Sequence, residues 1–99
     1  MNNVRYTYLV TYDISEPKRL RKVFLKLRGY GNPIQYSVFI CDLSEKEKAL
    51  MIVDLDEIIN YAEDRLMIIK VGLSNEKTER KIEVFGKKVE IEERGAVIV

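Results

Sequence analysis

Apolar and polar positions along this chain switch between two periods, and the switches mark out its elements. Arg5-Tyr6-Thr7-Tyr8-Leu9-Val10-Thr11-Tyr12 is rich in residues that fit a pleated, half-buried surface and predicts a first strand over 5–12. Leu20, Val23, Phe24 and Leu27 then recur at helical spacing, one apolar stripe of a helix over about residues 16–29. Ser15 is its expected N-cap, Pro17 sits in the first turn where a missing N–H costs little, and Gly29 and Gly31 end it. From Pro33 to Leu43 the pattern is again strand-like, with Pro33 suited to an edge or a strand start. Ser44-Glu45-Lys46-Glu47 reads as a capping box. The helix it opens runs to about Asn60 and buries Met51, Ile52, Leu55, Ile58 and Ile59. Arg65–Val71 predicts a strand of the fully buried type, and residues 74–79 a polar loop. Lys81–Phe85 and Val89–Glu93 alternate apolar and charged residues around Gly86-Lys87, a hairpin with one wet face. The last five residues, Gly95-Ala96-Val97-Ile98-Val99, are apolar and predict strand addition to the sheet edge of another copy.

Two helices over one face of a mostly antiparallel sheet is the economical packing of this element order, an α+β sandwich of ferredoxin-like type in a single domain over 1–99. That topology, βαββαβ, places a hairpin between its helices, so residues 33–43 must divide into a short edge strand and a longer core strand. No turn signal marks the division, and periodicity leaves it open.

Composition changes the picture through charge. The 99 residues are 46% apolar, enough for one small core that a partner chain would help to stabilise. Net charge is only +1, but it is segregated. Residues 1–34 carry seven Lys/Arg against Asp13 and Glu16, whereas residues 42–64 carry eight acids against Lys46 and Lys48. A basic side and an acidic side on one small domain predict two kinds of partner. Cys41 stands alone, which excludes a disulfide framework and a thiolate metal site and predicts a reducing, cytoplasmic setting. The N-terminus lacks the layout of a signal peptide, and no apolar run approaches the ~20 residues that span a bilayer, so no membrane partner is expected.

Candidate chemistry is sparse, because the chain has no His and no Gly-rich phosphate loop. Asp13 ends the first strand and faces a helix rich in bases, a place where a carboxylate could hold a divalent cation against a phosphate. A turn or capping role is the plainer alternative for a residue between strand and helix. One carboxylate is too little for a metal site. Asp54, Asp56 and Asp64 follow from a helix that starts at the other end of the sheet, so none is expected as a second ligand. A two-fold dimer would supply it by bringing two copies of Asp13 to one axis. Lys18, Arg19, Arg21 and Lys22, with Lys26 and Arg28, fill the polar side of the first helix and would hold a nucleic-acid backbone without reading bases. Tyr6, Tyr8 and Tyr12 share one strand face and fit core packing better than base stacking. Ser37 has no His to activate it, so a serine nucleophile is not expected.

Tyr12-Asp13-Ile14-Ser15 after an apolar strand, an Arg-rich first helix, Gly31, and Gln35-Tyr36-Ser37-Val38-Phe39 together resemble the small CRISPR-associated protein two family. Asp64-Arg65-Leu66-Met67-Ile68 is similar to that family's acidic residue opening the next core strand, and the likeness spans nearly the whole chain. The resemblance implies a ferredoxin-like homodimer completed by C-terminal strands from residues 80–99, with roughly 36–43 as the core strand. It implies a pair of Asp13 carboxylates binding magnesium, or alternatively manganese, for phosphodiester cleavage. Arg19 and Arg21 would meet the nucleic acid, DNA or RNA, with Tyr12, Ser37 and Phe39 near the site. A position often basic in the family that the chain resembles is Pro33 here, so a phosphate contact from that position is not carried over. The resemblance further implies a bridging partner, the spacer integrase of CRISPR adaptation, for which the dimer could serve as a non-catalytic DNA-binding scaffold; a toxin-like ribonuclease would share the fold and the site.

Overall fold

The computed structural model describes residues 4–87. Its elements run β1 (Arg5–Asp13), α1 (Pro17–Leu27), β2 (Gly31–Gln35), β3 (Val38–Ser44), α2 (Glu45–Asp56), β4 (Arg65–Leu73) and a single-turn helix α3 (Glu76–Glu79). The four strands form one antiparallel sheet in the order β2-β3-β1-β4. With α1 and α2 against one face, this is the expected ferredoxin-like sandwich. No helix of the described residues is long and apolar enough to cross a membrane.

The core lies between the helices and that face. Alternation along β1 sends Tyr8, Val10 and Tyr12 inward, and the register carries Cys41 opposite Tyr8 and Phe39 opposite Val10. Phe39 meets Phe24 of α1 edge to face at 5.4 Å, an aromatic pair worth about 0.5–1.5 kcal/mol beyond its buried area. Val23 and Leu27 of α1 and Met51 and Leu55 of α2 close the same cluster. Burial pushes the Cys41 thiol up to about 11, so it stays protonated and packs as a small apolar group.

Residues 33–43 divide at Tyr36-Ser37, which form a tight turn between β2 and β3. Ser37 adopts the left-handed region at φ 57°, a conformation with no residue-type signal in a Ser, which is why periodicity left the turn open. Gly31 sits in β2 where an added Cβ would lie 2.3 Å from the Ile40 carbonyl oxygen, so only glycine lets these strands approach so closely.

Several expectations are corrected. Glu16, not Ser15, caps α1, accepting the backbone N–H groups of Lys18 at 2.8 Å and Arg19 at 3.1 Å. Proline disfavours helical dihedrals in the residue before it, and Glu16 is extended before Pro17, so the cap must fall there. The capping box at Ser44 forms as expected, but α2 ends at Asp56 and buries Met51 and Leu55 alone, leaving Ile52 43% exposed. Ile58 and Ile59 lie beyond the helix, packed on the edge of the core. β4 is half-buried rather than fully buried. Leu66 and Ile68 face the core, whereas Met67 and Ile69 are exposed because both helices lie on the other face. Residues 74–79 contain α3, capped by the Asn75 side chain on Thr78 N–H at 3.0 Å. Residues 82–85 form no strand. The second arm of the expected hairpin and the apolar tail lie outside the described residues.

Candidate functional site

Asp13 is the last residue of β1. Because Tyr12 points into the core, strand alternation turns Asp13 to the sheet face opposite α1 and α2, at the end away from α3, which lies against Thr7 and Gly72. There it is exposed, and its carboxylate makes no hydrogen bond or ion pair with any described residue. Two neighbouring strands flank it. On the β3 side, Tyr12 N–H donates to the Ser37 carbonyl at 3.1 Å, which pins the Tyr36-Ser37 turn against the strand end. On the β4 side, Arg65 lies directly opposite Asp13 in the antiparallel register. Cross-strand neighbours share a face with Cβ atoms ~4.5–5.5 Å apart.

The residues expected near the site divide into layers. Ser37 contributes its carbonyl, not its hydroxyl. Phe39 is fully buried beneath the site, and its ring lies 6.3 Å from that of Tyr12, so both are core supports. The Tyr12 hydroxyl is buried with no partner among the described residues, and that burial pushes its pKa up to about 12.

The bases of α1 also divide. Lys18, Arg21 and Lys22 are exposed. Arg19 is committed: its Nε donates to Asp64 Oδ2 at 2.8 Å, and its Nη2 reaches Asp64 Oδ1 and Glu63 Oε1, each at 3.3 Å. Asp64 also accepts Asn60 N–H at 2.8 Å, and its side chain has no exposed surface. The Arg19 fork and the Asn60 N–H hold the Asp64 carboxyl below its usual range, and Asp64, with Glu63 beside it, raises the Arg19 pKa.

Asp64 corrects a positional expectation. Ser44 pairs with Arg5, so α2 begins at the Arg5 end of the sheet, and its 12 residues run back about 18 Å toward Asp13. The following loop delivers Asp64 to the Asp13 end, one residue before Arg65. It still supplies no second ligand, because it is bound to Arg19. Asp54 accepts the Tyr30 hydroxyl at 2.5 Å and Asp56 accepts that of Tyr61. Among the described residues no cluster of three or more Asp, Glu, Cys or His side chains is arranged to hold a metal. Asp13 is therefore left without a carboxylate partner for a metal among the described residues of a single chain. Sequence reasoning missed Arg65 as its neighbour, since only the non-local register of β1 with β4 brings the two together.

The motifs around Asp13, Ser37 and Asp64 are distant in sequence and meet at this one end of the sheet. A family model described as CRISPR associated protein Cas2 matches residues 6–80. The chain belongs to the Cas2 family. It is 36% identical over 98 residues to the CRISPR-associated endoribonuclease Cas2 1 of Rhodospirillum rubrum, covering 99% of this chain and 95% of the relative. It is 35% identical over 89 residues to the CRISPR-associated endonuclease Cas2 of Halalkalibacterium halodurans, covering 85% of this chain and 90% of the relative. Among solved structures, Streptococcus pyogenes Cas2 superimposes with a TM-score of 0.70 at 30% identity, covering 81% of this chain and 99% of that one. A Thermus thermophilus protein described as hypothetical superimposes with a TM-score of 0.75 at 28% identity, covering 89% of this chain and 99% of that one.

Proposed function

We propose that this chain is a homodimeric, magnesium-dependent endonuclease that acts in the cytoplasm during CRISPR adaptation. The observation that carries this reading is the Asp13 carboxylate, without a partner among the described residues, on the sheet face opposite α1 and α2. Leu9, Thr11, Met67 and Ile69 share that face by strand alternation, and Met67 and Ile69 are about half exposed. A second copy laid against it would cover this apolar surface and set two Asp13 carboxylates beside one axis.

The donor set fits magnesium, which takes one or two carboxylates and fills its other positions with water and substrate phosphate oxygens. Manganese would accept the same oxygen ligands. When bound, such an ion lowers the pKa of water and polarises a phosphoryl oxygen. The chain's own residues do the rest. Asp13 from each subunit holds the charge that attracts the cation, the Ser37 turn and β4 fix the strand end that carries it, and Lys18, Arg21 and Lys22 steer and seat phosphates. Arg19 serves by tying the start of α1 to the loop before β4.

Asp13→Asn tests the reading directly. Cleavage of RNA, single-stranded DNA and duplex DNA in magnesium is expected to fall by roughly 100-fold or more, with nucleic-acid binding intact. Unchanged cleavage would overturn it. If cleavage is lost but spacer integration in cells is undiminished, the dimer works as a scaffold. For the integrase partner we assign the acidic side around α2, where Leu50, Ile52 and Val53 are exposed on the helix and Glu57 and Glu63 are exposed in the segment that follows it. Integrase capture is expected to fail after Glu57→Lys with Glu63→Lys, and full capture would remove this surface from the proposal.

A further inference from the structure

We propose that Arg65 is a phosphate-binding residue of the Asp13 site, gripping the phosphodiester to be cut from the neighbouring strand. The inference rests on the reading of Asp13 as the cutting site. Three observations lead to it.

The register sets Arg65 directly opposite Asp13, and both are exposed on the sheet face opposite α1 and α2. Opposite charges placed side by side on paired strands ordinarily close into an ion pair. Here no ion pair joins them, and Arg65 makes none with any other described residue. A carboxylate and a guanidinium held apart on one face suit a phosphate, whose negative oxygens would meet the guanidinium while Asp13 would hold the cation that such a group requires.

Arg19, at the start of α1, is already spent. Arg19 is bound through both Nε and Nη2 to Asp64, whose side chain has no exposed surface. Releasing Arg19 to a phosphate would strand that carboxylate without its partner. Arg65 carries the same planar fork, which matches two phosphate oxygens at once, and has no such obligation. It also extends from a strand paired with β1 rather than from a helix surface, so its backbone is held in register with that of Asp13.

The test uses the full chain and fluorescein-labelled duplex DNA, first without divalent cation so that only binding is read. Arg65→Gln is expected to flatten the slope of log K against log salt by about 0.9 for each Arg65 that engages a phosphate. Arg19→Gln is expected to leave the slope unchanged. With magnesium present, Arg65→Gln is expected to slow cleavage by about 10–100-fold. Arg65→Lys keeps the charge and loses the fork, so it should restore the slope and only part of the cleavage. A wild-type slope in Arg65→Gln overturns the proposal, as does a slope loss that appears only in Arg19→Gln. A flattened slope with full cleavage also overturns it, by moving the contact away from the cut phosphodiester. Asp13→Asn in the same assays separates the two readings. If it still cleaves, the Asp13 assignment falls, while the slopes still decide whether Arg65 touches phosphate.

Discussion

At one end of β1, Arg5 donates to Asp42 at 3.2 Å and to Glu47 at 2.6 Å; at the other, Asp13 and Arg65 stand opposite each other with no ion pair to any described residue. The Arg5 end is closed by further bonds. Asp42 accepts the Ser74 hydroxyl at 2.7 Å, Ser74 meets Thr7 at 3.1 Å, and the capping box at Ser44 shares Glu47 with Arg5. The same kinds of group are tied into the fold where they are paired and stay open where they are not. Position along the strand does not separate the two ends, since each is the tip of one β-strand. What separates them is whether neighbouring elements bring a partner of opposite charge.

Substitutions can break or sharpen this contrast, and the largest effect belongs to the layer beneath the open end. Phe39→Ala removes a fully buried ring that supports Tyr12 and Phe24, and is expected to cost about 3–5 kcal/mol by denaturant unfolding. Ser44→Ala at the closed end removes half of the capping box and should cost about 1 kcal/mol with cleavage unchanged. Asp13→Asn at the open end should do the reverse, changing stability by less than about 0.5 kcal/mol while cleavage is lost. Equal destabilisation by Ser44→Ala and Asp13→Asn would erase the distinction. Tyr12→Phe deletes a buried hydroxyl that has no described partner and should leave the fold as stable, or more stable by up to about 1 kcal/mol, in thermal melts.

Acid offers the smallest and most graded probe. Glu47 is held below its ordinary pKa of 4.5, chiefly by the Ser44 N–H and then by Arg5; Asp64 is held below 3.8 by Arg19 and the Asn60 N–H. Both therefore bind protons less readily folded than unfolded. Their contribution is fully present above the unfolded values and is lost as pH falls through the lower folded ones. Melting temperature should decline below about pH 4.5, and Asp64→Asn should make that decline shallower. A decline as steep in Asp64→Asn as in the parent chain would show that the clasp with Arg19 contributes nothing to acid stability.

Local chemistry made much of the molecule legible. The alternation of Tyr8, Val10 and Tyr12, the stripe through Val23, Phe24 and Leu27, and the Ser44–Glu47 box depend on spacing within one element, and each formed where that spacing placed it. The motif at Asp13 was legible for the same reason, since a carboxylate between a strand and a basic helix is a local pattern. Errors arose where a near neighbour competed. Pro17 moved the cap from Ser15 to Glu16, and the sheet's single covered face left Met67 and Ile69 bare in a run that reads as fully buried.

The amino-acid order by itself marked out β1, α1, the start of α2 and β4, and the carboxylate on which a chemical role rests, because periodicity and capping act over a few positions; the turn at Tyr36-Ser37 carried no such signal. Tertiary structure alone decided which charges are free. The pairing of β1 with β4 set Arg65 beside Asp13, and the return of α2 to that end gave Arg19 to Asp64. Those contacts join residues about 45–52 positions apart, and no local preference encodes a partner at that separation.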